Sequence, residues 1–258
     1  MIPADAIPAD DRGLLLGDGL FETLLAMNGA LRDLEAHLDR MSAGCATLGL
    51  PALDRAEAER LMRQALAGVD APRAAVRLTL TAGSGGRGLD RPSETVPRLF
   101  ATAAPSAVPD GPARLTLSAV RRNEGSPASR LKTLAYLDNV LARQEARARG
   151  ADEAVMLNNR GEVACAAAAN LFWVREGRLF TPALACGVLA GVVRSRVIAV
   201  AAELGVGVVE TAAGPCELDA AEAVFLTNSL TGLREVAGLD AVAYGPSRLA
   251  ERLARALA

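Results

Sequence analysis

The stretch Ala104-Pro105-Ser106-Ala107-Val108-Pro109-Asp110-Gly111-Pro112 limits what this chain can fold into more than any other. Three prolines and a glycine within nine residues suit the interior of neither a helix nor a strand. Proline has no N–H to give and glycine loses the most freedom on ordering. The cluster reads as a linker. It divides the 258 residues into a smaller N-terminal part, 1–104, and a larger C-terminal part, 114–258, joined through 105–113. Each part is long enough to enclose a core.

In the first part, Leu34, Leu38, Met41, Cys45 and Leu48 recur at helical spacing and form one apolar stripe. Arg40 lies on that helix but off the stripe, free to face a cleft. Arg77–Thr81 and Arg98–Thr102 read as strands on either side of the glycine-rich Ala82–Gly88. In the second part Arg114–Val120 reads as a strand. A helix of about 15 residues follows Lys132 and ends at Gly150. Further strands are expected at Glu153–Leu157, Asn170–Val174 and Ala223–Thr227, and a second long helix from near Gly191 to Gly205. Strands and helices mix without the regular alternation of a doubly wound sheet, and no GxGxxG fingerprint is present. The expected class is α+β.

Composition narrows the function. No apolar run approaches the roughly 20 residues that span a bilayer, and Met1-Ile2-Pro3-Ala4-Asp5 lacks the features of a signal peptide. A net charge of −2 without a basic block gives little support to a nucleic-acid surface. Cys45, Cys165, Cys186 and Cys216 are widely scattered, and His37 is the single histidine, so neither a metal cluster nor a disulfide framework is expected. The expected setting is a reducing cytoplasm, with no membrane, metal or nucleic-acid partner.

Against that background one residue stands out. The chain has 27 arginines and a single lysine, Lys132, within Ser129-Arg130-Leu131-Lys132-Thr133-Leu134-Ala135-Tyr136-Leu137-Asp138-Asn139. Arginine serves wherever a positive charge is enough, but a primary amine can condense with an aldehyde and a guanidinium cannot. A coding bias toward arginine would leave the same survivor, so the neighbouring strings must decide.

Six strings, in order, resemble the class IV aminotransferases, the fold-type-IV pyridoxal-phosphate enzymes. They are Asp11-Arg12-Gly13-Leu14-Leu15-Leu16-Gly17-Asp18-Gly19-Leu20-Phe21-Glu22-Thr23; His37-Leu38-Asp39-Arg40; the Lys132–Asn139 string; Gly161-Glu162-Val163 running into Asn170-Leu171-Phe172; Leu189-Ala190-Gly191-Val192-Val193-Arg194; and Thr227-Asn228-Ser229. The resemblance implies a two-domain fold like that of D-amino acid aminotransferase, pyridoxal 5′-phosphate as cofactor, a small-molecule amino substrate and a homodimer. It implies Lys132 as Schiff-base lysine and proton shuttle. It places Arg40, the N–H groups of Val192 and Val193, and Ser229 on the cofactor phosphate. Phe21 and Thr23 become pocket-wall positions, and Arg87 of the glycine-rich loop a candidate for a substrate carboxylate. Tyr136, one turn past the lysine, is taken as core.

Within the family, G-D-G-L-F-E-T and G-S-G-G-R-G are most similar to the aminodeoxychorismate lyases, which release pyruvate and leave 4-aminobenzoate. The runner-up is a transaminase acting on branched-chain or D-amino acids with a 2-keto acid acceptor. A degenerate cofactor carrier is a third reading, opposed by the retention of Lys132. One departure bears on the chemistry. Cys165 stands where the family carries the glutamate that pairs with the cofactor's ring nitrogen, and Glu162, three positions earlier, would face the other side of a strand. A thiol is a weak partner, so a neutral ring nitrogen is expected, which tilts the reading toward elimination. Ala82 stands where the lyases often carry arginine.

Overall fold

The computed structural model describes residues 7–257, which form two compact units. The first takes residues up to Val108 together with the five-residue segment Leu131–Ala135, and the second takes Pro109–Arg130 and Tyr136 onward. The lysine segment thus belongs structurally with the chain before the linker.

In chain order the first unit contains α1 (Arg12–Leu16), β1 (Gly19–Met27), β2 (Ala30–Leu31), α2 (Leu34–Leu48), α3 (Arg55–Ala67), β3 (Arg73–Thr81) and β4 (Arg98–Pro105). Its strands form an antiparallel sheet in the order β2-β1-β3-β4. Alternation puts Leu20, Leu24, Val76, Leu78 and Leu80 on one face, where they pack against Leu38, Met41 and Cys45 of α2 and Ala58, Met62 and Leu66 of α3. Asp54 caps α3 by accepting the Glu57 N–H at 3.0 Å, and α2 ends at Gly49, whose φ of 63° is left-handed. Strand β4 runs on through Pro105, into the sequence's Pro/Gly cluster. Proline is tolerated there because β4 is an edge strand.

The second unit contains β5 (Ala113–Leu117), α4 (Leu137–Ala148), β6 (Glu153–Leu157), β7 (Val163–Ala166), β8 (Asn170–Arg175), β9 (Arg178–Pro182), α5 (Val192–Glu203), β10 (Val208–Thr211), α6 (Cys216–Asp219), β11 (Ala223–Asn228), β12 (Gly232–Leu239), β13 (Val242–Ala243) and α7 (Arg248–Leu257). Its sheet runs β10-β9-β8-β11-β12-β5-β6-β7, with β13 on β12. Leu115, Val155, Val163, Leu171, Trp173, Leu226 and Val236, from six of these strands, share one core, so the sheet curls around it. A second core joins Phe172 and Phe225, stacked at 5.1 Å, to Val197 and Ala201 of α5 and Leu253 of α7.

The helix after Lys132 is shorter than expected: α4 begins only at Leu137. Tyr136 is its N-cap residue and half-buried, not core. Its buried side is Asn139, Ala142 and Ala146, while Leu137, Val140 and Leu141 are exposed. No described helix is long and apolar enough to cross a membrane, and the described residues hold no group of three or more potential metal ligands.

Candidate active site

Strand β1 organises the polar centre of the first unit. Its alternation turns Glu22 toward α2 and leaves Phe21 and Thr23 on the other face. The Phe21 N–H donates to the Lys132 carbonyl at 2.9 Å, and the Leu134 N–H to the Gly19 carbonyl at 3.0 Å. Lys132 therefore stands directly across from Phe21, on the edge of β1 away from β3, and opposed residues share a face. Lys132 Nζ lies 4.4 Å from the centroid of the Phe21 ring. Arg77 pairs with Thr23 across β1 and β3 and brings its guanidinium to 3.7 Å from the same centroid.

Burial, reinforced by Arg40 and then Arg77 and opposed by Glu22, pulls the Lys132 amine from 10.5 down to about 8. Such an amine has an appreciable uncharged fraction at neutral pH, as attack on an aldehyde requires.

Arg40 is not loose in a cleft as its place off the apolar stripe implied. Its Nε and Nη2 donate to the two oxygens of Glu22 at 2.8 and 2.6 Å, and His37 Nδ1 lies 2.7 Å from Oε2. Glu22 is 1% exposed, and a carboxylate so deep needs compensating charge. Burial pushes Glu22 up, but the Arg40 and His37 hydrogen bonds outweigh it and hold the carboxyl below the usual range.

The glycine-rich loop is anchored from beneath. Arg12, 4% exposed, donates to the carbonyls of Leu89 and Asp90 at 2.8 and 2.9 Å and to Asp18 at 2.9 Å, and Arg91 grips the same Asp18. Arg98 and Thr81 both reach the buried Asp11. Arg87 itself is exposed, its backbone bridged to Asp90.

In the second unit Cys165 lies buried on β7, opposite Met156 of β6. Burial pushes its thiol up, with Arg122 opposing and Glu153 adding to the rise, so it is a neutral thiol at neutral pH. Glu162 cannot stand in for it. Its carboxylate is engaged in the turn before β7, accepting from Asn158 at 2.7 Å and from Arg160 at 2.8 and 3.0 Å. Glu153, on β6, is buried and pairs with Arg143.

Helix α5 opens at Val192 and Val193, both buried, after an N-cap glycine, Gly191, that offers no side-chain cap. Asn170 fixes this turn. Its Nδ2 donates to the Leu189 carbonyl at 2.9 Å, and a Cβ on Gly191 would fall 1.9 Å from its Oδ1, so a larger residue there would have to displace this amide. Across the β8–β11 pair Asn170 faces Thr227, whose Oγ1 is buried without a hydrogen-bond partner. Asn228 closes the following turn by accepting the N–H groups of Leu230 and Thr231 at 3.0 and 2.8 Å. Ser229 is half-buried within that turn.

Each unit by itself offers groups that suit one part of pyridoxal phosphate. An uncapped helix start beside an orphaned hydroxyl suits an anion, and a buried amine with a lowered pKa suits an aldehyde. Where the resemblance expects a partner for the ring nitrogen, the second unit has the Cys165 thiol. The sequence reading named Thr227 only as part of the Thr227-Asn228-Ser229 string and gave no role to Arg77, Arg122 or Glu153. A strand arginine such as Arg77 looks like any solvated charge among 27 arginines. Glu153, at the head of the apolar run Glu-Ala-Val-Met-Leu, carried a signal in its company.

The family model for amino-transferase class IV matches residues 19–239. The chain is 31% identical to an aminodeoxychorismate lyase of Bacillus subtilis, over 91% of this chain and 82% of that one. It is also 31% identical to a branched-chain-amino-acid aminotransferase of Pseudomonas aeruginosa, over 93% and 83%. Among solved structures it superposes on the 4-amino-4-deoxychorismate lyase of Pseudomonas aeruginosa with a TM-score of 0.91 and 34% identity, covering 99% of this chain and 95% of that one.

Proposed function

The chain belongs to the amino-transferase class IV family, a family of pyridoxal-phosphate enzymes, and on that premise we propose that it is a lyase that eliminates pyruvate from 4-amino-4-deoxychorismate to leave 4-aminobenzoate. Pyridoxal phosphate, when bound, would supply an aldehyde for the substrate amine and a ring able to accept electrons. The rest falls to this chain's residues. Lys132 holds the cofactor through Nζ and, once displaced by substrate, removes the proton from the carbon bearing the amine. The N–H groups of Val192 and Val193 and the Thr227 and Ser229 hydroxyls serve the phosphate. Arg40 adds positive charge from its anchor on Glu22. Phe21 and Thr23 wall the substrate, and Arg87 serves its carboxylate.

The observation that carries elimination over transamination is Cys165, with both nearby carboxylates engaged elsewhere. A neutral thiol there would be a weak partner for the ring nitrogen and would leave the electron sink shallow. Expelling a good leaving group tolerates that better than the reversible proton transfers of transamination. The 31% identity to a branched-chain aminotransferase keeps transamination as the second reading. We further propose a homodimer, supported by Leu14, Leu15 and Leu16 of α1, all exposed, and a reducing cytoplasm, which suits four free cysteines.

The test is to give cofactor-loaded protein 4-amino-4-deoxychorismate and follow pyruvate and 4-aminobenzoate. Sustained release of both is expected. Absence of pyruvate, with turnover of a branched-chain amino acid and a 2-keto acid instead, would establish the transaminase. In the Cys165→Glu variant the ratio of transamination to pyruvate release should rise by about tenfold, the effect of roughly 1.4 kcal/mol on one barrier.

A further inference from the structure

We propose that Phe21 is a positioning residue for the Lys132 amine, its ring forming the surface on which Nζ rests, and that Arg77, stacked on the same ring, fixes that ring beside the amine.

The argument starts from the sheet. β3 runs along one edge of β1 and the Lys132–Leu134 segment along the other, so Arg77 and Lys132 reach Phe21 from opposite sides. Both approaches are short, 3.7 Å for the guanidinium and 4.4 Å for Nζ. The Phe21 N–H bond to the Lys132 carbonyl holds the two residues abreast, so both side chains leave the same face of the sheet. An aromatic face attracts a cation, and this one already carries a guanidinium that never gives up its proton.

A lysine meant to react must meet two opposed demands. It must be held still, and the usual means is a carboxylate, which also keeps it charged. Three charged groups bear on Lys132, namely Glu22 of β1, Arg40 of α2 and Arg77 of β3, and His37 of α2 touches Glu22. The only carboxylate among them, Glu22, is gripped by Arg40 and His37. Phe21 resolves the conflict by giving Nζ a contact that carries no full negative charge, while two arginines repel the ammonium form.

The proposal rests on the reading of Lys132 as the reactive amine, but its test needs neither cofactor nor substrate. Because Lys132 is the only lysine, reductive methylation of cofactor-free protein with carbon-13 formaldehyde marks one side chain besides the chain terminus, and its methyl resonance can be followed against pH by NMR. The parent protein should titrate near 8, with a ring-current displacement of the methyl signal. Arg77→Met should move the midpoint up. Phe21→Leu should abolish the ring-current displacement, and Phe21→Tyr, which keeps a ring, should restore it. An unchanged midpoint in Arg77→Met, or an unchanged chemical shift in folded Phe21→Leu, overturns the proposal. If these titrations behave as stated while no pyruvate is formed from 4-amino-4-deoxychorismate, only the lyase reading fails.

Discussion

A lysine amine whose burial pulls it down to about 8 carries a stability cost. The sign follows from linkage. The folded chain releases this proton near 8 and the unfolded chain near 10.5, so the unfolded state holds more protons between those values and stability rises with pH through that window. Below pH 8 the whole penalty is present. Lys132→Met, which keeps the chain length and removes the charge, should therefore stabilise the cofactor-free protein by about 1 to 3 kcal/mol at pH 7. The gain should fade as pH approaches 10.5, in denaturant melts taken across that range, and a gain independent of pH would mean that the burial cost is not electrostatic. Lys132 was legible in the sequence because its singularity needs no structure to notice. Cys165 was legible as an offset from Asn170. Arg77 was not, since only strand register reveals that it and Lys132 meet on one ring.

Between elements, the decisive contact is Glu22 with His37 and Arg40, which fastens β1 to α2 from within the apolar layer. Glu22→Gln keeps the shape but leaves the Arg40 guanidinium without this counter-charge and changes the hydrogen-bond partner of His37. The expected loss is about 3 to 5 kcal/mol, the scale of breaking a buried ion pair. A double-mutant cycle with Arg40→Met should show strong non-additivity; simple addition of the two losses would mean that the clamp contributes nothing as a unit. Because the Glu22 carboxyl is held below its usual range, its contribution is complete above about 4.5 and disappears as pH falls through the lowered value. So the parent and Glu22→Gln proteins should converge in acid-denaturation curves. Helix α2 itself was readable from its stripe, and β6 from an apolar run bounded by an acid and an asparagine. The delayed start of α4 was not. Lys132–Leu134 carry good helix formers, and the edge of β1 draws them into strand pairing instead.

At the level of the whole molecule, the chain enters the second unit at Pro109, returns to the first for Leu131–Ala135, and leaves again. The linker could be read from its prolines. The return could not, because five residues are too few to carry a periodicity and their partner edge lies more than a hundred residues earlier. The consequence is mechanical. A protease site placed within 106–110, where the backbone is largely exposed, cuts the only direct covalent link between the first 105 residues and the rest. Yet the C-terminal fragment still carries a segment bonded to β1 through Phe21, Gly19 and Leu20. The two fragments should co-elute in native size exclusion after cleavage and part only in denaturant. Leu134→Pro removes the N–H that donates to Gly19 at 3.0 Å, and in that background the cleaved fragments should separate at markedly lower denaturant. If the cleaved parent separates without denaturant, the returning segment is a passive edge rather than a tie. If it holds, the chain's single lysine sits on the segment that also binds its first unit together.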